Sequence, residues 1–369
     1  MIPFVDLKTQ YKLIEEEIRS EIEKVLQQGN FILGEQLTEF EEAFADFCDS
    51  QYCIGVASGT DALCLALHVL GIGPGDEVIT AANTFVATVF AISYVGAIPV
   101  LVDIDPTTYN IDLDIVEKKI TSRTKVIIPV HLYGRSVDMG KLLKIASKYG
   151  ISIIEDACQA HGAIWEGKKV GSWGTMGCFS FYPAKNLGAY GDGGAIVTSD
   201  KHLYEKLRML RNYGSPKKYH HDIVGYNSRL DTLQAAILRV KLRHLDDWNK
   251  KRVENAIFYN EKLKDIGDLV LPEIRKDGSH VFHLYVVRTK ERDALLSYLK
   301  ENGVQCGIHY PIPIYSLGAY STLGYTPNEF PITEAFSKQI LSLPMYPELN
   351  EAQMSTVVSL IKKFYQGRE

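Results

Sequence analysis

Apolar positions in this chain recur with two different periods, and the switches between them lay out the elements. Over residues 37–47, Leu37, Phe40, Phe44 and Phe47 stand three and four residues apart, the stripe of an amphipathic helix. A short apolar run over 53–57 reads as a strand. Ser58-Gly59-Thr60 then opens a second helical pattern, with Leu63, Ala66, Leu67 and Leu70 on one face and Gly71 as its stop. The alternation continues with a turn and strand in GPGDEVITA (73–81), a buried helix over 84–95, a strand over 98–102 and a buried strand over 126–130. A helix over 138–149 leads to a strand over 151–154 that runs into two acids. Strands separated by helices of this length predict an α/β fold with a mostly parallel sheet covered on both faces. Ligands on such sheets bind beyond the carboxyl ends of the strands.

The rhythm changes after about residue 250. Residues 280–288 alternate like a half-exposed strand. Residues 292–302 read as a helix ending at Gly303, and 350–365 as a terminal helix with Met354, Val357, Val358 and Ile361 on one face. This sets a large α/β domain over 1–250, whose N-terminal segment is free to pack on its neighbour, and a smaller α+β domain over 251–369. Leu230, Leu233, Ile237 and Val240 place one long helix over 229–248, a bridge between the two. No low-complexity linker separates the domains, so firm packing is expected.

Composition narrows the function classes. Apolar residues make up 46% of the 369 and charged residues 23%, which supplies a core and excludes a disordered or fibrous chain. Forty Lys and Arg against 45 Asp and Glu give a formal charge of −5. That balance argues against nonspecific nucleic-acid or anionic-membrane binding, both of which need a basic excess. The opening MIPFVDLKTQYK lacks the basic segment and apolar run of a signal peptide. The most apolar stretch, 81–102, is interrupted by Asn83, Thr84, Thr88, Ser93, Gly96 and Pro99, against a membrane span. The six cysteines form no CxxC pair and read as buried reduced thiols, so a cytoplasmic protein is expected.

Several motifs fail. GIGPG (71–75) and GDGG (191–194) lack the GxGxxG spacing of a dinucleotide site. GAIWEGK (162–168) mimics a P-loop but is followed by Lys169 where Ser or Thr is required. His220, His221, His280 and His283 lack acidic or thiol partners at ligand spacing, and no metal is expected.

Three features fall where a cofactor site on this sheet would need them. Ser58-Gly59-Thr60 sits at a strand-to-helix junction, where free N–H groups and the helix dipole attract phosphate, although it is equally an ordinary helix cap. Glu155-Asp156 ends an apolar strand and can deliver a carboxylate to the crevice, or make a turn. Lys185 stands between the apolar Phe179 and Phe181 and the glycines 188, 191, 193 and 194. Desolvation there would free its amine as a nucleophile, and the glycines would let the backbone approach a flat ligand. A Schiff-base lysine, an acid for a ring nitrogen and a phosphate cup together point to pyridoxal phosphate. Ser180 could add a hydroxyl, and Phe85 could stack on the ring.

At this point the sequence resembles the DegT/DnrJ/EryC1/StrS family of nucleotide-sugar aminotransferases, within the fold type I pyridoxal-phosphate enzymes. The resemblance rests on PFVDLKTQY (3–11), GNFILGEQLTEFEEAFA (29–45), SGTDAL (58–63), GPGDEVI (73–79) and VHLYG (130–134). It continues through EDACQAHGA (155–163), FSFYPAKNLGAYGDGGAI (179–196), GYNSRLDTLQAA (225–236) and HYP (309–311), so it covers nearly the whole chain.

The resemblance implies roles residue by residue. Lys185 matches the Schiff-base lysine, Asp156 the aspartate on the pyridine nitrogen and Gln159 the glutamine beside the ring hydroxyl. Gly59, Thr60 and Ser180 match the phosphate cup, and Phe85 the stacked aromatic. Asn227 matches an asparagine that reaches the phosphate of the partner subunit's cofactor, which implies a homodimer with shared active sites. His309, Tyr310, Arg229 and Tyr182 are implied on the sugar side. Tyr315 and Leu317 depart from the His and Gln of many relatives. The implied reaction carries the amino group of L-glutamate to a keto sugar in two half-reactions at one site, and basic residues must line the approach of the anionic nucleotide. PFVDLKTQY, GNFILGEQL and YHHDIVGYNSRLD (219–231) look closest to enzymes acting at C-3 of dTDP-3-oxo-6-deoxyhexoses. C-4 amination of a 4-oxo-6-deoxyhexose is the alternative. A dehydratase of the family would carry His in place of Lys185. Intact Lys185, Asp156 and Gln159 argue against a purely regulatory role.

Overall fold

The computed structural model describes residues 1–275 and 277–367. The apolar runs form strands β1 (Tyr52–Val56), β2 (Glu77–Ala81), β3 (Ile98–Val102), β4 (Thr124–Ile128) and β5 (Ser152–Asp156). A small hairpin, β6 (Ile164–Trp165) and β7 (Lys168–Lys169), precedes β8 (Met176–Ser180) and β9 (Gly194–Thr198). Seven strands make one sheet in the order β1-β9-β8-β5-β4-β2-β3. All pairings are parallel except those of β9, which runs against both β1 and β8.

Both faces of this sheet are dry, which is why its strands read as unbroken apolar runs. Successive residues of one strand enter opposite cores. Cys178 joins Ile54, Val78, Ile128, Ile154 and Ile196 on one side, under Leu63 and Leu67 of α4 (Gly59–Val69) and Ile92 of α5 (Val86–Tyr94). Phe179 faces the other side, where its ring meets that of Phe44 edge-on at 5.0 Å. Phe44 and Phe40 belong to α3 (Glu35–Phe47), preceded by α1 (Leu7–Leu13) and α2 (Glu15–Gln28). The remaining crossovers are α6 (Leu113–Lys119) and α7 (Met139–Tyr149), and α8 (Lys201–Leu210) follows β9.

The expected single helix over 229–248 is two. They are α9 (Thr232–Leu242) and α10 (Leu245–Leu263), which runs through residue 250. Leu230 lies ahead of α9 and packs where a side chain on Gly55 would sit. The chain turns at Arg243 and His244, both of which bind Glu17 of α2 at 2.9 Å. Ile237, Val240 and Trp248 still share one cluster with Ile14 and Ile18, so the apolar period continues across a break it cannot reveal.

The half-exposed strand expected over 280–288 is also corrected. Only β10 (Tyr285–Arg288) forms, antiparallel to β11 (Ile340–Leu343), and it is buried. Tyr285 and Val287 enter a core with Tyr259, Leu295, Val357, Ile361 and Ile2, while Val286 enters the core beneath β2 and β4. Helices α11 (Arg292–Glu301), α12 (Pro331–Ser337) and α13 (Glu351–Gln366) complete the chain. Of the six unpaired cysteines, Cys48, Cys53 and Cys178 are buried as expected, but Cys64, Cys158 and Cys306 are partly exposed. Among the described residues no helix is long and apolar enough to cross a membrane.

The acids at the end of β5 divide by the same alternation. Glu155 is fully buried and faces away from Asp156. Its carboxylate accepts from the N–H groups of Gly171, Trp173 and Gly174, each at 2.7 Å, and from His131 Nε2 at 3.0 Å. His131 Nδ1 accepts from Val137 N, which puts the ring proton on Nε2. Glu155 is thus a structural strap. Glu155→Ala would strand one buried and two partly buried N–H groups and cost about 3 kcal/mol. A fall in the urea midpoint at unchanged slope checks this, and an unmoved midpoint refutes it.

Candidate active site

The turns at the carboxyl edge of the sheet converge on one cavity of about 520 Å³. Ser58, Gly59 and Thr60 arrive after β1, Thr84, Phe85 and Thr88 after β2, Asp156 and Gln159 from β5, and Ser180, Tyr182 and Lys185 from β8. Phe4, His283, His309 and Tyr310 close the wall. The antiparallel β9 brings its start to this edge, with Gly194 opposite both Val56 and Ser180.

Gly193 lines the cavity, while Gly188 and Gly194 serve backbone crossings. A Cβ on Gly194 would lie 2.4 Å from the Ser58 carbonyl, and one on Gly188 would lie 2.2 Å from the Pro183 oxygen. They let backbone cross backbone, and so close the turn that carries Lys185. Ala189 N donates to Phe181 O at 2.8 Å and Lys185 N to Tyr182 O at 2.8 Å. From α9, the fully buried Lys241 donates Nζ to Gly188 O at 2.7 Å, its ammonium 4.2 Å from the Tyr190 ring centre. Burial pushes the Lys241 amine down to about 7.

The Lys185 ammonium donates no hydrogen bond to any described residue. Burial holds its pKa below the ordinary lysine value, against the opposing pull of Cys158 and Asp156. Asp156 is buried, accepting from Thr88 Oγ1 at 2.8 Å and from Cys158 N at 3.2 Å, and no described cation is bonded to it. A buried carboxylate with only neutral donors is an incomplete site for a positive group. Gln159 is fixed at both ends, Oε1 accepting from Tyr133 N at 2.8 Å and Nε2 donating to Tyr310 OH at 3.1 Å. At the head of the 11-residue α4, Ser58 Oγ caps Asp61 N, while the N–H groups of Gly59 and Thr60 bond to no described residue. Phe85 is half exposed, tilted against Tyr310 at 5.6 Å. His309 stacks on Phe4 and accepts or donates at Ser342 Oγ, and burial with the nearby Lys185 pushes its imidazole down to about 4.

Arg229, expected on the sugar side, is not brought here, and Asn227, expected at a partner subunit's cofactor, is off this wall too. Asn227 is exposed and off the cavity wall, and Arg229 donates to Asn212 Oδ1 at 2.8 Å beside the Tyr213 ring. Tyr182 lines the wall but is largely exposed. Tyr315, one of the departures from the family pattern, is buried against Phe330 with its OH on Glu334, so it lies off this wall. Lys185 is the sole Lys or Arg on the wall among the described residues, so the expected basic lining is not on this wall. Thr88, Phe4, Cys158 and His283 were not singled out as site residues from sequence. The one signal among them was Thr88, a hydroxyl interrupting the apolar run 81–102.

The match to known proteins agrees with this geometry. Residues 12–362 match the model of the DegT/DnrJ/EryC1/StrS aminotransferase family. The chain belongs to that family. It is 50% identical to the dTDP-3-amino-3,6-dideoxy-alpha-D-galactopyranose transaminase of Aneurinibacillus thermoaerophilus, with 99% of each chain covered. It is 47% identical, again over 99% of each, to a pleiotropic regulatory protein of Geobacillus stearothermophilus. Among solved structures, S. venezuelae DesV in complex with a ketimine intermediate is similar at a TM-score of 0.97 and 45% identity, covering 99% of this chain and 98% of that one. A Bacillus subtilis structure with bound cofactor PMP is similar at 0.89 and 35% identity, covering 95% and 82%. This family member is an aminotransferase, of a family that uses pyridoxal 5'-phosphate.

Burial makes one pH prediction. In the cofactor-free protein, Lys185 should become a reactive free amine at lower pH than exposed lysines such as Lys8. Acylation against pH, read residue by residue by mass spectrometry, checks it. A Lys185 midpoint at or above that of Lys8 refutes it.

Proposed function

We propose that this chain transfers the amino group of L-glutamate to the C-3 keto group of a dTDP-3-oxo-6-deoxyhexose, with pyridoxal 5'-phosphate in the cavity and Lys185 as the reacting amine. One observation carries the reading. A single wall holds an amine without a partner and a buried carboxylate without a cation among the described residues. A phosphorylated pyridine aldehyde offers both missing groups, and when bound it supplies the electron sink for the reaction.

The chain's own residues do the rest. Asp156, its Oδ2 oriented by Thr88, keeps the proton on the ring nitrogen. Gln159, immobilised by Tyr133 and Tyr310, sits beside the ring hydroxyl. The free N–H groups at the head of α4 and the Ser180 hydroxyl take the phosphate, where the helix dipole favours negative charge. Phe85 gives the ring a face. Lys185 takes up and returns the proton that moves during amino transfer, the work of a general acid–base. His309, Tyr310 and Tyr182 face the sugar. Donor and acceptor use one cavity, so ping-pong kinetics are expected.

Relatives at 44–50% identity whose names print a position print position 3, which favours C-3 over C-4. Two of those names carry dTDP and two carry UDP. The exposed apolar residues Phe31, Ile32 and Leu33, with Tyr213, Val224 and Tyr226, support a second copy covering this surface. Asn227 would then reach the phosphate in that copy's cavity.

The test is amination of 3-oxo and 4-oxo sugars, each linked to dTDP or UDP, with glutamate as donor. The expected product carries the new amine at C-3 of the dTDP 6-deoxyhexose, and amination at C-4 alone would overturn the position. Lys185→Ala should lose transamination entirely while folding normally. Asp156→Asn should retain cofactor yet fall at least ~100-fold in rate, and turnover at the normal rate by either variant removes its assigned role. Dilution to monomers should release cofactor if Asn227 serves the neighbour.

A further inference from the structure

Two of the hydroxyls that interrupt the apolar run 81–102 line the cavity, Thr84 just ahead of α5 and Thr88 in its first turn. Both are buried, at 3% and 1% exposure. Their oxygens lie 3.0 Å apart, and Thr88 Oγ1 lies 2.8 Å from Asp156 Oδ2. A hydroxyl has one proton to give and a carboxylate has none. Thr88 therefore donates to Asp156, and Thr84 donates to Thr88. The bonds run in one direction, from Thr84 through Thr88 to the acid. A hydroxyl within a helix commonly returns its proton to a carbonyl one turn back, as Ser93 of the same helix does to Val89 O at 3.2 Å. Thr88 instead turns its proton toward an acid on β5, 68 residues away. Thr84 Oγ1 is bonded to no other described residue.

We propose that Thr84 and Thr88 are positioning residues for Asp156, a directed hydroxyl chain that steadies the negative charge of the carboxylate and so leaves the proton it shares with the cofactor on the ring nitrogen. The inference rests on reading Asp156 as the partner of that nitrogen, and it adds what sets how tightly the acid pulls on the proton. A hydrogen bond given to the charged form of an acid favours that form. In a chain each hydroxyl polarises the next, so Thr84 strengthens the bond from Thr88 without touching Asp156. The one other described donor to this carboxylate is Cys158 N, on the opposite oxygen. Branched at Cβ, both side chains have few rotamers, which suits a chain that must keep one direction.

Valine keeps the outline of threonine and removes the hydroxyl. The probe is pyridoxal 5'-phosphate labelled with ¹⁵N in its ring, bound to the enzyme and read without any sugar substrate. In Thr88→Val the ring ¹⁵N signal should move toward that of the unprotonated ring. In Thr84→Val it should move the same way by less. The double variant should match Thr88→Val, because Thr84 acts only through Thr88. Thr88→Ser and Thr84→Ser, which restore the hydroxyl, should hold the wild-type signal. The glutamate half-reaction should slow about 10-fold in Thr88→Val and in the double variant, and about 3-fold in Thr84→Val. If the hydroxyls only brace the start of α5, Tm falls in the valine variants while the ¹⁵N signal keeps its wild-type position, and that result overturns the proposal. Additive shifts in the double variant overturn it too. Should Thr88→Val fail to fold, Thr84→Val decides alone, and an unmoved signal there is fatal. Asp156→Asn separates this proposal from the reading beneath it. A signal that moves in Asp156→Asn but in neither threonine variant removes the chain alone, and a signal that Asp156→Asn leaves unmoved removes both.

Discussion

Two opposite charges share one wall of a cavity and do not pair. Lys185 and Asp156 attract across a low-dielectric space where contact would be strongly favoured, yet no ion pair joins them in the structure. Stiffness keeps them apart. Asp156 is the last residue of a central strand, with one oxygen on Thr88 and the other on the Cys158 amide. Lys185 stands on a turn closed by its own backbone and tied beneath by Lys241. An amine and a carboxylate held this way are available to opposite ends of a third molecule.

The strand alternation that buries the sheet also sorts its chemistry. Glu155 and Asp156 are consecutive acids with opposite fates. One collects three amide protons and a histidine under the sheet, the other opens into the cavity. The strap holds one side of the end of β5, and Asp156, the next residue of that strand end, turns its carboxylate into the cavity. Stability and site geometry are coupled through a single peptide unit.

Much of this was legible in the chain. The strands over 52–56, 98–102 and 152–156 read from short apolar runs, because both of their faces are covered. Lys185 read from its setting between buried aromatics and glycines. The division of Glu155 from Asp156 did not, since it depends on which face of β5 each residue takes. The break at 243–244 was invisible because Trp248 resumes the apolar period beyond it. Thr88, Phe4 and His283 owe their positions to partners 68, 305 and 97 residues away, and no local pattern encodes such pairings. The glycines were legible as necessary, but their division was not: Gly188 and Gly194 serve backbone crossings, and Gly193 lines the cavity.

Three imidazoles, those of His161, His283 and His309, feel the charge of Lys185, the one Lys or Arg of the wall among the described residues. Burial drives His161 down to about 3 and His309 to about 4, and holds His283 well below the usual range. Charged histidines in their place would compete with a cofactor for Asp156 and repel the Lys185 ammonium. Kept neutral, they add hydrogen-bonding capacity without adding charge. Asp156 is thereby left without a cationic partner among the described residues, on a wall where Lys185 is the one Lys or Arg. If the cavity takes an anionic cofactor as proposed, free backbone N–H groups and a helix end are there to hold it in a chain of net charge −5, without a cluster of cations.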